Sequence, residues 1–344
     1  MYSLPFLLLP FLIAPSATLP HQQTNSRPGT KSPDLTPLPL VIWHGLGDSY
    51  QSSGLSEIAS LAASTNPDTY IHIIHLSDSS TGDRQASFLG NVTEQVDFVC
   101  EQLSSEPIVG TAPAINALGF SQGGQFLRAY VERCNNPPVR NLVTVGSQHN
   151  GISEFQECMA LDLICKGAEA LLHAGVWSDF VQGRFVPAQY FRDPRDEESL
   201  GKYLESSNFL ADINNEREGS RNETYKENLK KLNKFAMLMF EDDSIAHPKE
   251  SAWFAEVNGT TGEVTPLRER DVYKEDWLGL KELDEQGKLD FLALPGDHLQ
   301  MEDKQLVRLF QDYFGPVEVD LPDAMPAKGA KGAKHAEKVL VQQY

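Results

Sequence analysis

Residues 119–123, Gly-Phe-Ser-Gln-Gly, stand between an apolar run from Ile115 to Leu118 and a helical run from Gly124, and they constrain the fold more than any other stretch. The pattern is that of a nucleophile elbow, in which a strand turns sharply into a helix and presents the hydroxyl of Ser121 at the turn, with the helix N-terminus behind it. Glycines two residues to either side suit such a turn, because strand and helix approach too closely there for side chains.

Other short apolar runs rich in β-branched residues lie at 40–43, 70–74, 142–145, 235–240 and 291–294. Helical periods fall between the earlier ones, notably at 95–103 and from Gly124 to Arg133. Continuous apolar strands alternating with amphipathic helices predict an α/β fold, with a mostly parallel sheet covered on both faces. A last helix, 304–314, carries Leu306, Leu309, Phe310 and Tyr313 on one stripe and should dock on the sheet. Between about residues 150 and 231 the rhythm breaks, and an inserted, mainly helical cap is predicted.

A serine hydroxyl needs a base, and the base needs an acid to orient it. In elbow-type folds the partners follow in the order Ser, Asp or Glu, His, each from a loop at the carboxyl end of a strand. Asp243 follows the run at 235–240, and His298 follows the run at 291–294. Asp242 competes with Asp243, but only one of two neighbours can point at the imidazole. His247 is too close to Asp243 to come from a separate strand end, and His44 and His149 precede the acid. The glycine-rich loop from Trp43 to Asp48 lies where an oxyanion-hole amide is needed. Leu46 and Gln122 would supply the two amides, each worth ~3 kcal/mol in the transition state.

The chain ends carry other information. Residues 1–17 have the apolar stretch and small residues of a secretory signal peptide, too short to span a bilayer. An irregular, Pro-rich lead-in follows at 18–37, the main domain is expected over 38–318, and 319–344 form a disordered tail rich in Lys, Ala and Gly. Four cysteines behind a signal peptide favour disulfides, and Cys100 with Cys134 and Cys158 with Cys165 is the favoured pairing. Sequons at Asn91, Asn222 and Asn258 fit the same compartment and would engage glycan-processing and sorting machinery. A net charge of −19 argues against nucleic acid as a partner and suits an acidic lumen. The cysteine spacing suits no zinc site, and no metal or organic cofactor is expected.

Four blocks, at 38–48, 119–129, 208–214 and 296–300, closely resemble the palmitoyl-protein thioesterases, the lysosomal enzymes that remove palmitate from proteins. The resemblance runs in order from about residue 38 to 315. It implies an α/β-hydrolase fold, a triad of Ser121, Asp243 and His298, an apolar groove for palmitate formed partly by the insertion, and N-glycosylation. S-palmitoylated proteins would be the substrates, and the destination a lysosome or vacuole, or the medium. It also supports the two cysteine pairings. Where animal members carry two adjacent cysteines, this chain has Ser49 and Tyr50. Two other readings share the motifs: a secreted lipase or esterase acting on oxygen esters, and a non-catalytic lipid carrier, against which the intact triad argues.

Overall fold

A computed structural model describes residues 35–155 and 175–318. Six strands form one parallel sheet: β1 (Leu40–Trp43), β2 (Ile71–Ile73), β3 (Ile115–Phe120), β4 (Val139–Val145), β5 (Lys234–Phe240) and β6 (Leu289–Leu294), in the spatial order β2-β1-β3-β4-β5-β6. Strand alternation explains the two cores. On β1, Val41 and Trp43 face one apolar cluster while Leu40 and Ile42 face another, as a period of two requires. The first cluster is covered by α3 (Val92–Ser105) and α4 (Gln122–Arg133), and the second by α1 (Ser53–Thr65) and α7 (Asp303–Phe314). This is the sheet covered on both faces that the continuous apolar runs predict.

Helix ends follow local chemistry. The Ser52 hydroxyl caps α1 by accepting from the Leu55 amide, Ser79 caps α2 (Ser80–Phe88), and a reciprocal Glu302–Gln305 capping box opens α7. On α7 the residues buried are Leu306, Leu309, Phe310 and Phe314, so the apolar stripe docks as expected, while Tyr313 turns its hydroxyl to Asp290.

The described part of the insertion is built mainly of helices, as expected, most of them short. Its longer helices are α5 (Glu197–Ser206) and α6 (Glu223–Leu229), and short turns of helix and irregular chain connect them. Apolar side chains such as Tyr203, Phe209 and Leu229 join it to the first cluster, and polar anchors add to this packing. The fully buried Arg128 on α4 donates to the Ile213 carbonyl at 3.0 Å, to Asn214 Oδ1 at 2.8 Å and to Glu132 at 2.7 Å. Gln189 accepts from the Val92 amide at the start of α3 and donates to the Gly90 carbonyl. The lead-in also differs, since Leu35–Thr36 pairs antiparallel with Val317–Glu318. Residues 1–34 and 319–344 lie outside the described residues, as do Cys158 and Cys165.

A disulfide joins Cys100 to Cys134, tying α3 to the C-terminal end of α4. Closing 34 residues of chain stabilises the fold by about 4 kcal/mol in the chain-entropy view.

Glu132 makes stability depend on pH. Burial, opposed by the Arg128 charge, pushes its carboxyl up to about 7, above the ordinary 4.5. A raised folded-state value means stability that is greatest below the unfolded value and lost as pH rises through the folded one. His149, driven the other way by burial and by Arg128, opposes this in part of the same window, so a variant is needed to isolate the term. In urea titrations the advantage of the parent chain over Glu132→Gln should shrink by roughly 1 kcal/mol per pH unit between pH 5 and 7. A difference that stays constant would mean that Glu132 ionises at its ordinary pH.

Candidate active site

The turn between β3 and α4 places Ser121 at φ 52° and ψ −126°, a backbone conformation that side chains other than glycine rarely adopt. Two residues to either side, only glycine fits. A Cβ on Gly119 would lie 2.3 Å from the Gly124 Cα, and one on Gly123 would lie 2.4 Å from the Trp43 carbonyl oxygen. Gln122 opens the helix, so its amide has no acceptor within the helix. The Gly45 loop lies directly over the serine, since a Cβ on Gly45 would come within 3.0 Å of the Ser121 Cβ. Sequence and structure thus agree on the elbow, although the helix begins two residues earlier than its apolar pattern suggests.

Asp243 and His298 meet at the carboxyl ends of adjacent strands β5 and β6. His298 Nδ1 is 2.7 Å from Asp243 Oδ2, and the second carboxylate oxygen accepts from the amides of Ile245 at 2.9 Å and Ala246 at 2.8 Å. Three donors fix the carboxylate in place, and it is buried whereas Asp242 is exposed. The histidine is held in turn, because its amide donates to Asp297 Oδ1 at 2.7 Å and that carboxylate also accepts from Ser244. The amides of His298 and Ser244 hold the Asp297 carboxyl below its ordinary value. With Nδ1 occupied by Asp243, Nε2 is the ring nitrogen left for chemistry.

Ser121 and His298 line one cavity of about 1180 Å³, together with Gly45, Leu46 and Ile245. The cavity extends between α1 and α7, with serines 53, 56, 60 and 64 on one wall and Leu55, Leu61, Met301 and Leu306 among its apolar residues. None of its lining residues comes from the described part of the insertion. That part contributes Val176, Val181, Phe185 and Ala188 to an apolar cluster packed with Phe88 and Leu46.

The competing histidines have other surroundings. His149 is buried, accepts from Arg128 Nε at 3.2 Å and stacks on Phe254. His247 is exposed and pairs with Glu154 at 3.6 Å. His44, by contrast, lies at the cavity, hydrogen-bonded to Asp83 on α2. Sequence reasoning missed this pair and the role of α2. The signal available was the position of His44 within the glycine-rich loop, two residues before Leu46. The three sequon asparagines sit at helix starts or in a turn and use Oδ1 to accept backbone amides, whereas a glycan attaches through Nδ2.

A parallel sheet with a strained serine elbow and an Asp–His pair beyond later strands defines an α/β-hydrolase. The chain matches the palmitoyl protein thioesterase family model over residues 39–298 and belongs to that family. It is 39% identical to palmitoyl-protein thioesterase 1 of Caenorhabditis elegans, over 80% of this chain and 92% of the relative. Palmitoyl-protein thioesterase 3 of Dictyostelium discoideum is 32% identical, over 76% of this chain and 84% of its own. A lysosomal thioesterase of Rattus norvegicus is 27% identical, over 80% and 83%.

Because the Gly119 contact is with backbone, Gly119→Ala cannot be relieved by a rotamer change. It should destabilise the chain by about 3 kcal/mol, visible as a lower urea midpoint, and abolish labelling of Ser121 by a fluorophosphonate. Full labelling at an unchanged midpoint would contradict the close approach.

Proposed function

We propose that this chain is a serine thioesterase that releases long-chain acyl groups, palmitate among them, from the cysteines of proteins. The observation that carries this reading is the Asp243–His298 contact at 2.7 Å, beside a cavity that also holds Ser121. Family membership supplies the thioester and the acyl chain; the triad alone supports only acyl transfer.

In this mechanism Ser121 Oγ attacks the thioester carbonyl carbon as His298 Nε2 takes the hydroxyl proton. The Asp243 carboxylate stabilises the imidazolium and fixes its tautomer. Charge on the carbonyl oxygen is met by the amides of Leu46 and Gln122. The intermediate collapses, the carbon–sulfur bond breaks, and the cysteine sulfur leaves with the proton from His298. Water then adds to the acyl-enzyme, giving its proton to His298, and the released serine takes that proton back. The products are a free cysteine and a fatty acid.

An oxidising route and an acidic destination, a lysosome or vacuole, complete the reading. It is supported by the Cys100–Cys134 disulfide, by the surface placement of the sequons and by the lysosomal relative. The net charge of −19 suits a low-pH lumen, where protonation relieves repulsion.

Secreted protein should hydrolyse a palmitoyl thioester faster than the matched oxygen ester between pH 4 and 8, and Ser121→Ala should remove both activities. A preference for the oxygen ester would move the protein to the lipases, and failure of a fluorophosphonate to label Ser121 would point to a lipid carrier. Asp243→Asn should lower kcat by about 10³-fold or more through the wrong imidazole tautomer, with Asp242→Asn near parent activity. Equal losses in the two variants would overturn the assignment of the acid.

A further inference from the structure

His44 is 1% exposed, and each of its ring nitrogens faces an oxygen that can only accept: Nε2 lies 2.9 Å from Asp83 Oδ2, and Nδ1 lies 3.0 Å from the Gly45 carbonyl. A neutral imidazole has one N–H and one lone pair, so either tautomer would set a lone pair against an oxygen in a place closed to water. Only the imidazolium satisfies both contacts. Asp83 is fully buried and accepts the Tyr50 amide at 2.8 Å and the Leu76 amide at 2.7 Å, so it needs a cation as partner. The second buried histidine shows the opposite pattern. His149 meets a donor, Arg128 Nε, at Nδ1, which requires a lone pair there and hence the neutral ring.

We propose that Asp83 keeps His44 as a buried imidazolium, and that this cation positions the Leu46 amide and adds positive charge behind the oxyanion hole. His44 and Asp83 are therefore positioning residues for thioester hydrolysis, an inference that rests on Ser121 being the nucleophile. Burial alone would lower the His44 value, but the Asp83 hydrogen bond and the Gly45 carbonyl, with the charges of Asp83 and Asp48, outweigh it and raise the net value. Burial would likewise raise Asp83, and His44 with the two amides brings it below its ordinary range.

The neighbouring elements contribute to the same arrangement. From α2, Ser87 Oγ accepts the Gly47 amide at 2.9 Å, the Ser87 carbonyl accepts Gln122 Nε2 at 3.1 Å, and Arg84 Nε donates to the Gly47 carbonyl at 2.8 Å. One helix thus braces the oxyanion loop at Gly47, next to Leu46, and the side chain of Gln122. The other charged or titratable groups nearby are Asp48 in the same loop, the Arg84 guanidinium over the Phe88 ring, the His75–Asp78 pair before α2, and His298 with Asp243 on the shared cavity. Activity then requires a neutral His298 and a cationic His44, which gives a bell-shaped pH profile whose alkaline limb belongs to His44.

The charge state can be read without activity, on full-length Ser121→Ala protein carrying ¹⁵N-labelled histidine, by following the imidazole nitrogen shifts with pH. Both His44 nitrogens should remain protonated above the pH at which an ordinary histidine loses its proton, and adding Asp83→Asn should bring their deprotonation down by about one pH unit. In thioester kinetics Asp83→Asn should move the alkaline limb of kcat to lower pH by a similar amount, with KM within about twofold. His44→Gln should abolish that limb and lower kcat about tenfold. A neutral His44 at pH 6 overturns the proposal even if neither variant folds, and so does an alkaline limb that Asp83→Asn leaves in place. A cationic His44 in a chain that hydrolyses no acyl ester would instead defeat the reading of function.

Discussion

The constraint on which the structure depends is the distance between backbone atoms at the β3–α4 turn. Strand, helix and the loop after β1 converge there so closely that glycines 119 and 123 have backbone where a Cβ would be. This packing forces Ser121 into its unusual conformation and brings the Gly45 loop over it. The strain is local, and the two apolar clusters on either side of the sheet hold it in place. Without those clusters the turn would relax, and serine, loop amide and helix amide would part.

Much of this was legible in the residues because it depends on short-range pattern. Strand position follows from β-branched apolar runs, and the elbow from glycine spacing. That Asp243 and His298 would meet was legible because in a parallel sheet every strand delivers its carboxyl-end loop to the same edge. The sequence favours Asp243 over Asp242, and the fold adds the physical difference between them: Asp243 is buried and accepts the amides of Ile245 and Ala246, while Asp242 is exposed.

The partners of the buried polar side chains were not legible. Asp83 lies in a helix with a polar sequence, and nothing in its spacing says that it will face His44, 39 positions earlier. Arg128 sits in a recognisable block, yet that its donors reach Ile213 and Asn214 depends on how the insertion folds back. Such long-range pairings are set by topology and by the cost of burying an unpaired donor or charge, and neither leaves a periodic trace in sequence. The described part of the insertion is mainly helical, as expected, but which of its side chains enter the core and which meet Arg128 follows from how it folds back.

Arg128 distributes its donors among its own helix, the loop after β4 and the insertion, at full burial. Lifting the 213–214 segment away would strand a guanidinium in an apolar interior, at a cost of several kcal/mol. That segment is therefore pinned to α4, and its contacts with Arg128 can be given up only together with the packing around that side chain.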